Sequence, residues 1–325
     1  EIMPSLVGSE MCIRDRKNTT TFNAKFLGDR LRVNGDFTYQ QKTQEKTKKQ
    51  VRSPYARSVD ADGESQIEHI TGTYSNLAET TDHTNYLATN LFAEFEETFA
   101  EKHYFKAMAG WNYEKSTFKR IYAYNDDLLT DDVDNMNLVM GTDNRSITSQ
   151  WKAYQFGGAF FRLNYAFDDR YLLEVNGRYD GSSRFAPGNR WRMFPGVSAS
   201  WRISQEEFLK SSKVFNELKL RASYGQTGNQ EGIRLYDYIQ LLKFRDDGWG
   251  TKLTYPFGSG SQTQAMGLDV LAGVNRTWEI LENINAGVDA AFLDSRLGFS
   301  FDYFVKMNNN MLIPVTYPSM LGATP

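Results

Sequence analysis

The sequence predicts an all-β protein, and more narrowly part of a transmembrane antiparallel up-and-down β-barrel. Three observations indicate this fold class. Ten segments alternate polar and apolar residues, and short and long connections follow each other in turn along the chain. In addition, no apolar run reaches the roughly 18 residues that a membrane-spanning helix needs.

The alternation is clearest in the segment 283–292. Ile284 and Val288 share one face of an extended chain there, and Asn285 and Asp289 share the other. A period of two residues is typical of a strand with one apolar and one hydrated face, whereas buried parallel strands read as continuous apolar runs. The segments predicted as strands are 20–27, 30–40, 85–98, 104–114, 157–167, 171–180, 193–203, 217–226, 283–292 and 296–306.

The connections between these segments are of two kinds. The tight turns, which share an aromatic residue followed by small or charged residues, are 26–31, 99–105, 167–172 and 292–297, with 204–217 fifth in that series. The other connections, most of them long and polar, are 41–84, 115–151, 181–190, 227–278 and the residues after 307. In a meander, this order places all tight turns at one end and all long loops at the other.

The asymmetry between the two ends decides between two β architectures. A soluble β-sandwich would explain the alternation, but a compact soluble domain seldom has structureless loops of this length. Outer-membrane barrels have short periplasmic turns and long extracellular loops, so we expect a barrel. The residues predicted to form an aromatic girdle at the turn ends are Phe26, Phe99, Tyr104, Phe167, Tyr171 and Phe292.

Composition argues against nucleic-acid binding and against cysteine-based sites. The net charge of −3, from 37 basic and 40 acidic residues, gives no support for nucleic-acid binding. The mean hydropathy of −0.55 is compatible with a barrel, because transmembrane β-strands are only half apolar. The single cysteine, Cys12, provides neither a disulfide framework nor a thiolate metal site, and we expect no cofactor.

The first residues differ from the rest of the chain. Residues 1–16 lack the alternation and also lack the basic and apolar parts of a signal peptide. Their stretch "LVGSEMCIRDR" resembles translated sequencing-adapter read-through. We therefore expect residues 1–16 to be non-native or an irregular lead-in, and residues 17–325 to form one partial outer-membrane barrel domain.

Three ordered motifs indicate a family. They are "GGAFFRLNYAFDDRYLLEVNGRYDGSSRFAPGNRWRMFPGVSASWRISQEEFL", "LKLRASYGQTGNQ" at 218–230 and "WEILENINAGVDAAFLDSRLGFSFDYFVKMNNNML" at 278–312. Their order and spacing resemble the barrel of SusC/RagA-type TonB-dependent transporters. The resemblance is close over roughly residues 150–325, general upstream of these, and lost in residues 1–16.

The resemblance implies a barrel of about 22 strands in the outer membrane of a Gram-negative, Bacteroidota-type bacterium. It also implies a plug domain, a SusD-like surface lipoprotein as partner, a glycan or peptide substrate, and energy from the TonB–ExbB–ExbD system. The chain starts within the pattern and stops at "YPSMLGATP". We therefore expect a fragment without the plug, the TonB-interacting segment and the C-terminal strands, since an open sheet in lipid leaves unpaired edges.

The most distinctive short motif is a run of six residues, predicted to shape an extracellular loop rather than a catalytic site. The residues of this motif loop are Asp180, Gly181, Ser182, Ser183, Arg184 and Phe185. A serine nucleophile needs a positioned base, and no histidine lies near it in the sequence. We expect Gly181 to provide backbone freedom, the serines to bond local backbone, and Arg184 to reach back to Asp180.

Other loops offer weaker candidates. The acidic runs 60–64 and 125–135 and the basic run 42–52 are predicted to be solvated loops, although the first resembles the start of a calcium loop and the last could contact lipopolysaccharide phosphates. The loop 227–278 is the best ligand or partner region, because aromatic faces stack on sugar rings or on a lid protein. Its candidate residues are Tyr236, Tyr238, Trp249, Tyr255 and Phe257.

These expectations combine into one functional prediction, with rivals. The chain is predicted to be a barrel segment of an importer for oligosaccharides or peptides, and not an enzyme. A TonB-dependent siderophore or cobalamin receptor is the nearest alternative. A barrel enzyme and a non-transporting adhesin are more distant ones, and a barrel enzyme would need a histidine on the same side as its nucleophile.

Overall fold

The computed structural model describes an all-β chain. The described residues are 7–51, 54–59, 62–63, 65–69, 75–130, 134–141, 144–209, 214–244, 254–257, 261–264, 266–268 and 272–311. Within these ranges the helical segments are single 3₁₀ turns at Met136–Leu138, Pro187–Asn189 and Ile203–Gln205. No helix among the described residues is long and apolar enough to cross a membrane.

The strands are numbered in chain order. The first eight are β1 (Val7–Phe26), β2 (Leu31–Gln50), β3 (Pro54–Val59), β4 (Ser65–His69), β5 (Asn76–Phe99), β6 (His103–Asp126), β7 (Ser146–Phe167) and β8 (Tyr171–Ser182). The others are β9 (Trp191–Arg202), β10 (Phe215–Asn229), β11 (Leu242–Phe244), β12 (Thr254–Phe257), β13 (Ser261–Gln264), β14 (Met266–Leu268), β15 (Glu279–Phe292) and β16 (Leu297–Asn309).

Ten of these strands form one antiparallel sheet. Its order is β1-β2-β5-β6-β7-β8-β9-β10-β15-β16, so each strand pairs with the next long strand along the chain. The sheet is open, with β1 and β16 at its edges, as expected of part of an up-and-down barrel. The short strands pair separately within the long connections, as β3-β4, β11-β14 and β12-β13.

The predicted tight turns are confirmed at 27–30, 100–102, 168–170 and 293–296. Each contains residues with positive φ, for example Gly28 at 62° and Asp168 at 51°. Such left-handed residues match the twist of the flanking strands, so the hairpins close within three or four residues. The fifth connection begins with the 3₁₀ turn Ile203–Gln205.

Several strands are longer than predicted. The predicted loop segments 41–50, 76–84, 115–126 and 146–151 are continuous strand in β2, β5, β6 and β7. Alternation marks a strand only where one side is apolar, so a strand with water on both sides shows no periodicity. Residues 7–16 likewise belong to β1, where we had expected no strand. That residues 1–16 are non-native stays a prediction.

The chain divides into two compact units. The first comprises Glu1–Thr20, Phe37–Ala88 and Lys115–Ala153. In it Arg120 donates to both carboxylate oxygens of Asp82 at 2.7 Å. The solvated loop predicted for 125–135 is wrong at its start, because Asp126 ends β6 and is only 4% exposed. The basic run is also strand up to residue 50 rather than loop.

The second unit comprises Thr21–Asp36, Thr89–Glu114 and Tyr154–Pro325. Its strands have two unlike faces. On the apolar face, Val175 of β8 lies opposite Leu163 of β7 and Val197 of β9. Leu163 and Val197 are 40% and 41% exposed, which in water would be costly and in lipid is favourable.

The polar face of the second unit carries ionic networks that join neighbouring strands. Arg221 of β10 donates to Asp289 of β15 at 3.0 Å and to Asp302 of β16 at 2.6 Å. Asp289 also accepts from the Ser300 hydroxyl at 2.6 Å. Charged residues opposite an apolar face require water or polar protein beside them, which indicates a hydrated interior for the barrel.

The predicted aromatic girdle is present in part. Phe167, Tyr171 and Trp201 stack in series on the apolar face, with ring centroids 6.4 and 6.3 Å apart. Tyr104 was assigned to this girdle incorrectly, because its hydroxyl donates to Glu96 within a network on the polar face. The sequence pattern alone does not distinguish the two faces at a strand's first residue.

Candidate functional site at the motif loop

The motif loop begins inside a strand rather than in a loop. β8 continues through Ser182, and Asp180 and Ser182 are 7% and 2% exposed. The Asp180 carboxylate accepts two hydrogen bonds from the guanidinium of Arg178, at 3.0 and 3.1 Å. Arg178, and not Arg184 as predicted, therefore compensates this buried charge. Arg178 and Asp180 are two residues apart in β8, so their side chains lie on the same face of the strand. Arg178 is therefore near enough to bond the Asp180 carboxylate directly.

The two serines of the motif loop fix backbone conformation. The Ser182 hydroxyl oxygen accepts from the backbone N–H of Arg184 at 3.2 Å. The Ser183 oxygen accepts from the N–H of Gln155 at 2.9 Å, which ties the loop to β7. Ser182 thus bonds local backbone as predicted, whereas Ser183 bonds the backbone of the neighbouring strand β7. Such bonds stabilise a turn, since they satisfy amides that the sheet no longer pairs.

Gly181 allows a close approach of side chains rather than unusual backbone. It lies in β8 and is not among the residues with positive φ. A Cβ at this position would lie 2.6 Å from the indole ring of Trp191, the residue opposite it on β9. The predicted need for backbone freedom was therefore wrong. The position requires glycine because the Trp191 ring covers the strand there.

An apolar cluster joins the motif loop to the aromatic loop, residues 230–278. Phe185, Ile233 and Trp278 are 1%, 2% and 3% exposed, and Phe194 of β9 completes the cluster at 5%. The Trp278 ring centroid lies 4.9 Å from that of Phe185 and 5.5 Å from that of Phe194. Both ends of the aromatic loop thus pack on the motif loop, since Ile233 lies near its start and Trp278 at its end.

Two arginines reinforce this junction. Arg184 donates to the carbonyl oxygen of Ile233, and its guanidinium lies 5.2 Å from the ring centre of Tyr154. Arg190 donates to the Phe185 carbonyl oxygen at 3.1 Å and to the Tyr238 hydroxyl at 3.2 Å. Cation–π contacts and charge-assisted hydrogen bonds of this kind favour one geometry of a loop.

The aromatic loop itself is only partly described. Tyr238 contacts Arg190, and Tyr236, with φ of 63°, begins a turn closed by a hydrogen bond from the Ile239 N–H at 2.8 Å. Arg276 forms an ion pair with Asp237 at 2.5 Å. Trp249 lies outside the described residues. Tyr255 and Phe257 lie in β12, but their side chains are not described, so a shared binding surface remains a prediction.

Sequence reasoning missed Trp278, Arg190 and Phe194 as parts of this site. Trp278 opens the third family motif and Arg190 ends the short connection after the motif loop, yet nothing local shows that they meet. Asn189 also donates to the carbonyl oxygens of Val274 and Arg276, at 3.2 and 3.4 Å. We call this junction the clamp, because it fixes the base of the aromatic loop. It consists of Phe185, Arg190, Phe194, Ile233 and Trp278.

The fold and the clamp together define a class, an outer-membrane-type receptor barrel with anchored loops. The chain belongs to the TonB dependent receptor-like, beta-barrel family, whose model matches residues 11–324. Within that family it is of the SusC/RagA type, as the motifs predicted.

Individual relatives agree with this assignment. TonB-dependent receptor P26 of Formosa agariphila is 32% identical over 230 residues, which are 70% of this chain and 22% of that protein. TonB-dependent receptor SusC of Bacteroides thetaiotaomicron is 36% identical over 163 residues, 49% of this chain and 15% of SusC. The chain thus spans less than a quarter of the length of these curated relatives.

A solved structure shows the same fold. The structure of the RagAB peptide transporter superposes with a TM-score of 0.78 over 98% of this chain and 32% of that one, at 20% sequence identity. The RagAB peptide importer in its "open-open" state gives 0.77. Similarity at this level of identity supports the barrel architecture alone.

Proposed function

We propose that this chain forms part of the wall of a TonB-dependent importer in the outer membrane of a Gram-negative, Bacteroidota-type bacterium. In the whole protein, a plug domain would close the lumen, and the TonB–ExbB–ExbD system would supply energy. The polar face of the sheet would line the hydrated path. In this proposal the chain breaks no bond.

The clamp between the motif loop and the aromatic loop carries this proposal. A passive barrel needs no fixed loop, whereas a receptor that captures a ligand at its mouth benefits from loops held in one geometry. Trp278, Phe185 and Arg190 provide that restraint at the long-loop end of the strands. A SusD-like surface lipoprotein is the partner we expect on these loops.

The substrate class is oligosaccharide or peptide. Aromatic and arginine side chains at the base of the loop, such as Tyr238 and Arg190, suit sugar rings and carboxylates alike. The fold neighbour is described as a peptide transporter, which keeps peptides beside glycans as a candidate. A siderophore or cobalamin receptor is the alternative that an uptake experiment must separate.

The test is deletion of the full gene in its host, followed by growth on single glycans, on peptides, and on iron chelates or cobalamin. We expect slow growth on one glycan or peptide source and normal growth on the others. Loss of iron-chelate or cobalamin uptake alone would identify the alternative receptor. Normal growth on every source would favour an adhesin. Affinity purification of the full protein should also recover a SusD-like lipoprotein, and its consistent absence would contradict the proposed partnership.

A further inference from the structure

The apolar face of the second unit contains a cleft beside two paired glycines. Gly157 of β7 lies directly opposite Gly181 of β8, so two neighbouring strands lack side chains at the same level. Two pairs of stacked aromatic side chains flank the two glycines. Trp111 stacks on Tyr113 with centroids 5.8 Å apart, and Tyr179 stacks on Trp191 at 5.3 Å. We call this space, of about 310 Å³, the glycine cleft.

The aromatic side chains in and beside the glycine cleft are exposed. Trp111, Tyr179 and Trp191 are 46%, 49% and 52% exposed, although they are among the largest apolar side chains of the chain. The rings of each pair are nearly parallel, with interplanar angles of 8° and 18°. Exposed aromatic rings on an apolar strand surface accept a flat or extended apolar group, such as a sugar ring or an acyl chain.

The loop end of the cleft is polar and positively charged. Its lining there includes Gln155 within β7, Ser183 directly after β8 and Arg190 directly before β9. Arg190 donates to the Phe185 carbonyl and the Tyr238 hydroxyl, both neutral oxygens. Among the described residues no carboxylate lies within ion-pair distance of it. The Ser183 oxygen accepts from the Gln155 N–H, so its own proton remains available to a ligand.

We propose that the glycine cleft binds a phosphorylated glycolipid of the outer membrane leaflet. Its phosphate would contact Arg190 and Ser183, and its sugar or acyl portion would lie against the exposed rings of Trp111 and Trp191. A half-buried guanidinium without a carboxylate favours an anion, and an apolar face favours a lipid, so an anionic amphiphile satisfies both. The proposal rests on the outer-membrane location proposed above.

The experiment uses the full protein, purified from its outer membrane in mild detergent and examined by native mass spectrometry. The probe is an acylated glucosamine disaccharide with phosphate, compared with its dephosphorylated form and with phosphatidylglycerol. We expect Arg190→Gln to lower retention of the phosphorylated probe about tenfold, which corresponds to one charge-assisted contact. Gly181→Ala should also lower retention, because its methyl group displaces Trp191 into the cleft.

The matched control is Arg192→Gln. Arg192 lies in β9, two residues after Arg190, and is paired with Asp180 on the polar face. This variant should retain the probe like the wild type. Equal retention by Arg190→Gln, or equal retention of the dephosphorylated probe or of phosphatidylglycerol, would overturn the site. A protein absent from the outer-membrane fraction would instead contradict the proposed function.

Discussion

Trp278 donates its indole N–H to the backbone carbonyl oxygen of Arg190 at 2.9 Å, across 88 residues of chain. The bond joins the residue before β15 to the residue before β9. Around it, the rings of Phe185 and Phe194 exclude water from the indole. This buried hydrogen bond is the centre of the clamp. Substitutions at Trp278 can separate the contribution of the hydrogen bond from that of the aromatic contacts.

Trp278→Phe should remove the hydrogen bond and keep most of the apolar contact. The Arg190 carbonyl oxygen then keeps only the backbone N–H of Ser182, at 3.3 Å, as a donor. We therefore expect the loss of one hydrogen bond, about 0.5–1.5 kcal/mol in the free energy of unfolding. Trp278→Ala should cost more, about 3–5 kcal/mol, because it also opens a cavity. Urea unfolding of the full protein in lipid vesicles measures both. Proteolysis within the aromatic loop should become faster in the same order.

Trp151→Phe is the control for this pair. Trp151 is 62% exposed in β7, so the same change of side chain should alter stability by less than about 0.5 kcal/mol. If Trp278→Phe behaved like Trp151→Phe, the clamp would contribute no restraint to the loop.

Arg178→Ala should destabilise the barrel through Asp180. The variant leaves an almost buried carboxylate without its two charge-assisted hydrogen bonds, at a cost of about 1–3 kcal/mol. Arg162→Ala is the matched change on β7, where the pair with Glu174 is 3.6 Å apart and more exposed. That variant should lose less than about 1 kcal/mol. Equal losses in the two variants, measured by urea unfolding, would show that the burial of Asp180 is unimportant.

Gly158→Ala should be poorly tolerated. An added Cβ would meet the Asp180 carboxylate and would lie 2.9 Å from the Tyr179 carbonyl oxygen, which belongs to the paired strand and cannot move freely. We expect a loss of about 1–3 kcal/mol from this overpacking. At Gly188 an added Cβ has no neighbour within 4 Å, so Gly188→Ala should be close to neutral. A neutral Gly158→Ala would mean that the Asp180 side chain can relocate at little cost.

The sequence was sufficient to predict where the lipid-facing strands lie but not where they end. Val175 and Glu174 fall on opposite faces because alternation follows directly from the geometry of extended chain. Residues 115–126 of β6 carry polar groups on both faces, so the pattern that identifies a strand is missing there. Hydrogen bonding to β5 and β7 maintains the strand, and pairing partners are not encoded by periodicity.

The sequence identifies the motif loop of the clamp but not the side chains that pack on it. Asp180–Phe185 is recognisable as a family signature, and Ser182 bonds local backbone as expected. The partners of Asp180 and Arg184 could not be read from the sequence, because each depends on which side chains the sheet register brings together. Trp278 meets Arg190 only after β10 and β15 have paired, which is a long-range event.

Glu206 gathers three donors at the tight-turn end of β8 and β9. Its carboxylate accepts from the Tyr171 hydroxyl at 2.7 Å, the Trp201 indole N–H at 3.0 Å and Arg170 at 3.2 Å. The residue lies in the connection after β9, outside the strands. The carboxylate thereby fixes the orientation of two rings of the aromatic girdle.

Stability should therefore depend on pH through Glu206. The hydrogen bond from Tyr171, with those from Trp201 and Arg170, lowers the pKa of Glu206 below its ordinary value of 4.5. A carboxyl with a depressed pKa in the folded state contributes stability that is complete above its unfolded pKa and is lost as the pH falls through the folded pKa. The melting temperature of the wild type should thus fall as the pH drops from about 5 towards 3, and Glu206→Gln should lose part of this decline. Glu207→Gln, at the exposed neighbouring position, should keep the wild-type profile. Identical profiles for Glu206→Gln and the wild type would show that the carboxylate does not hold the girdle.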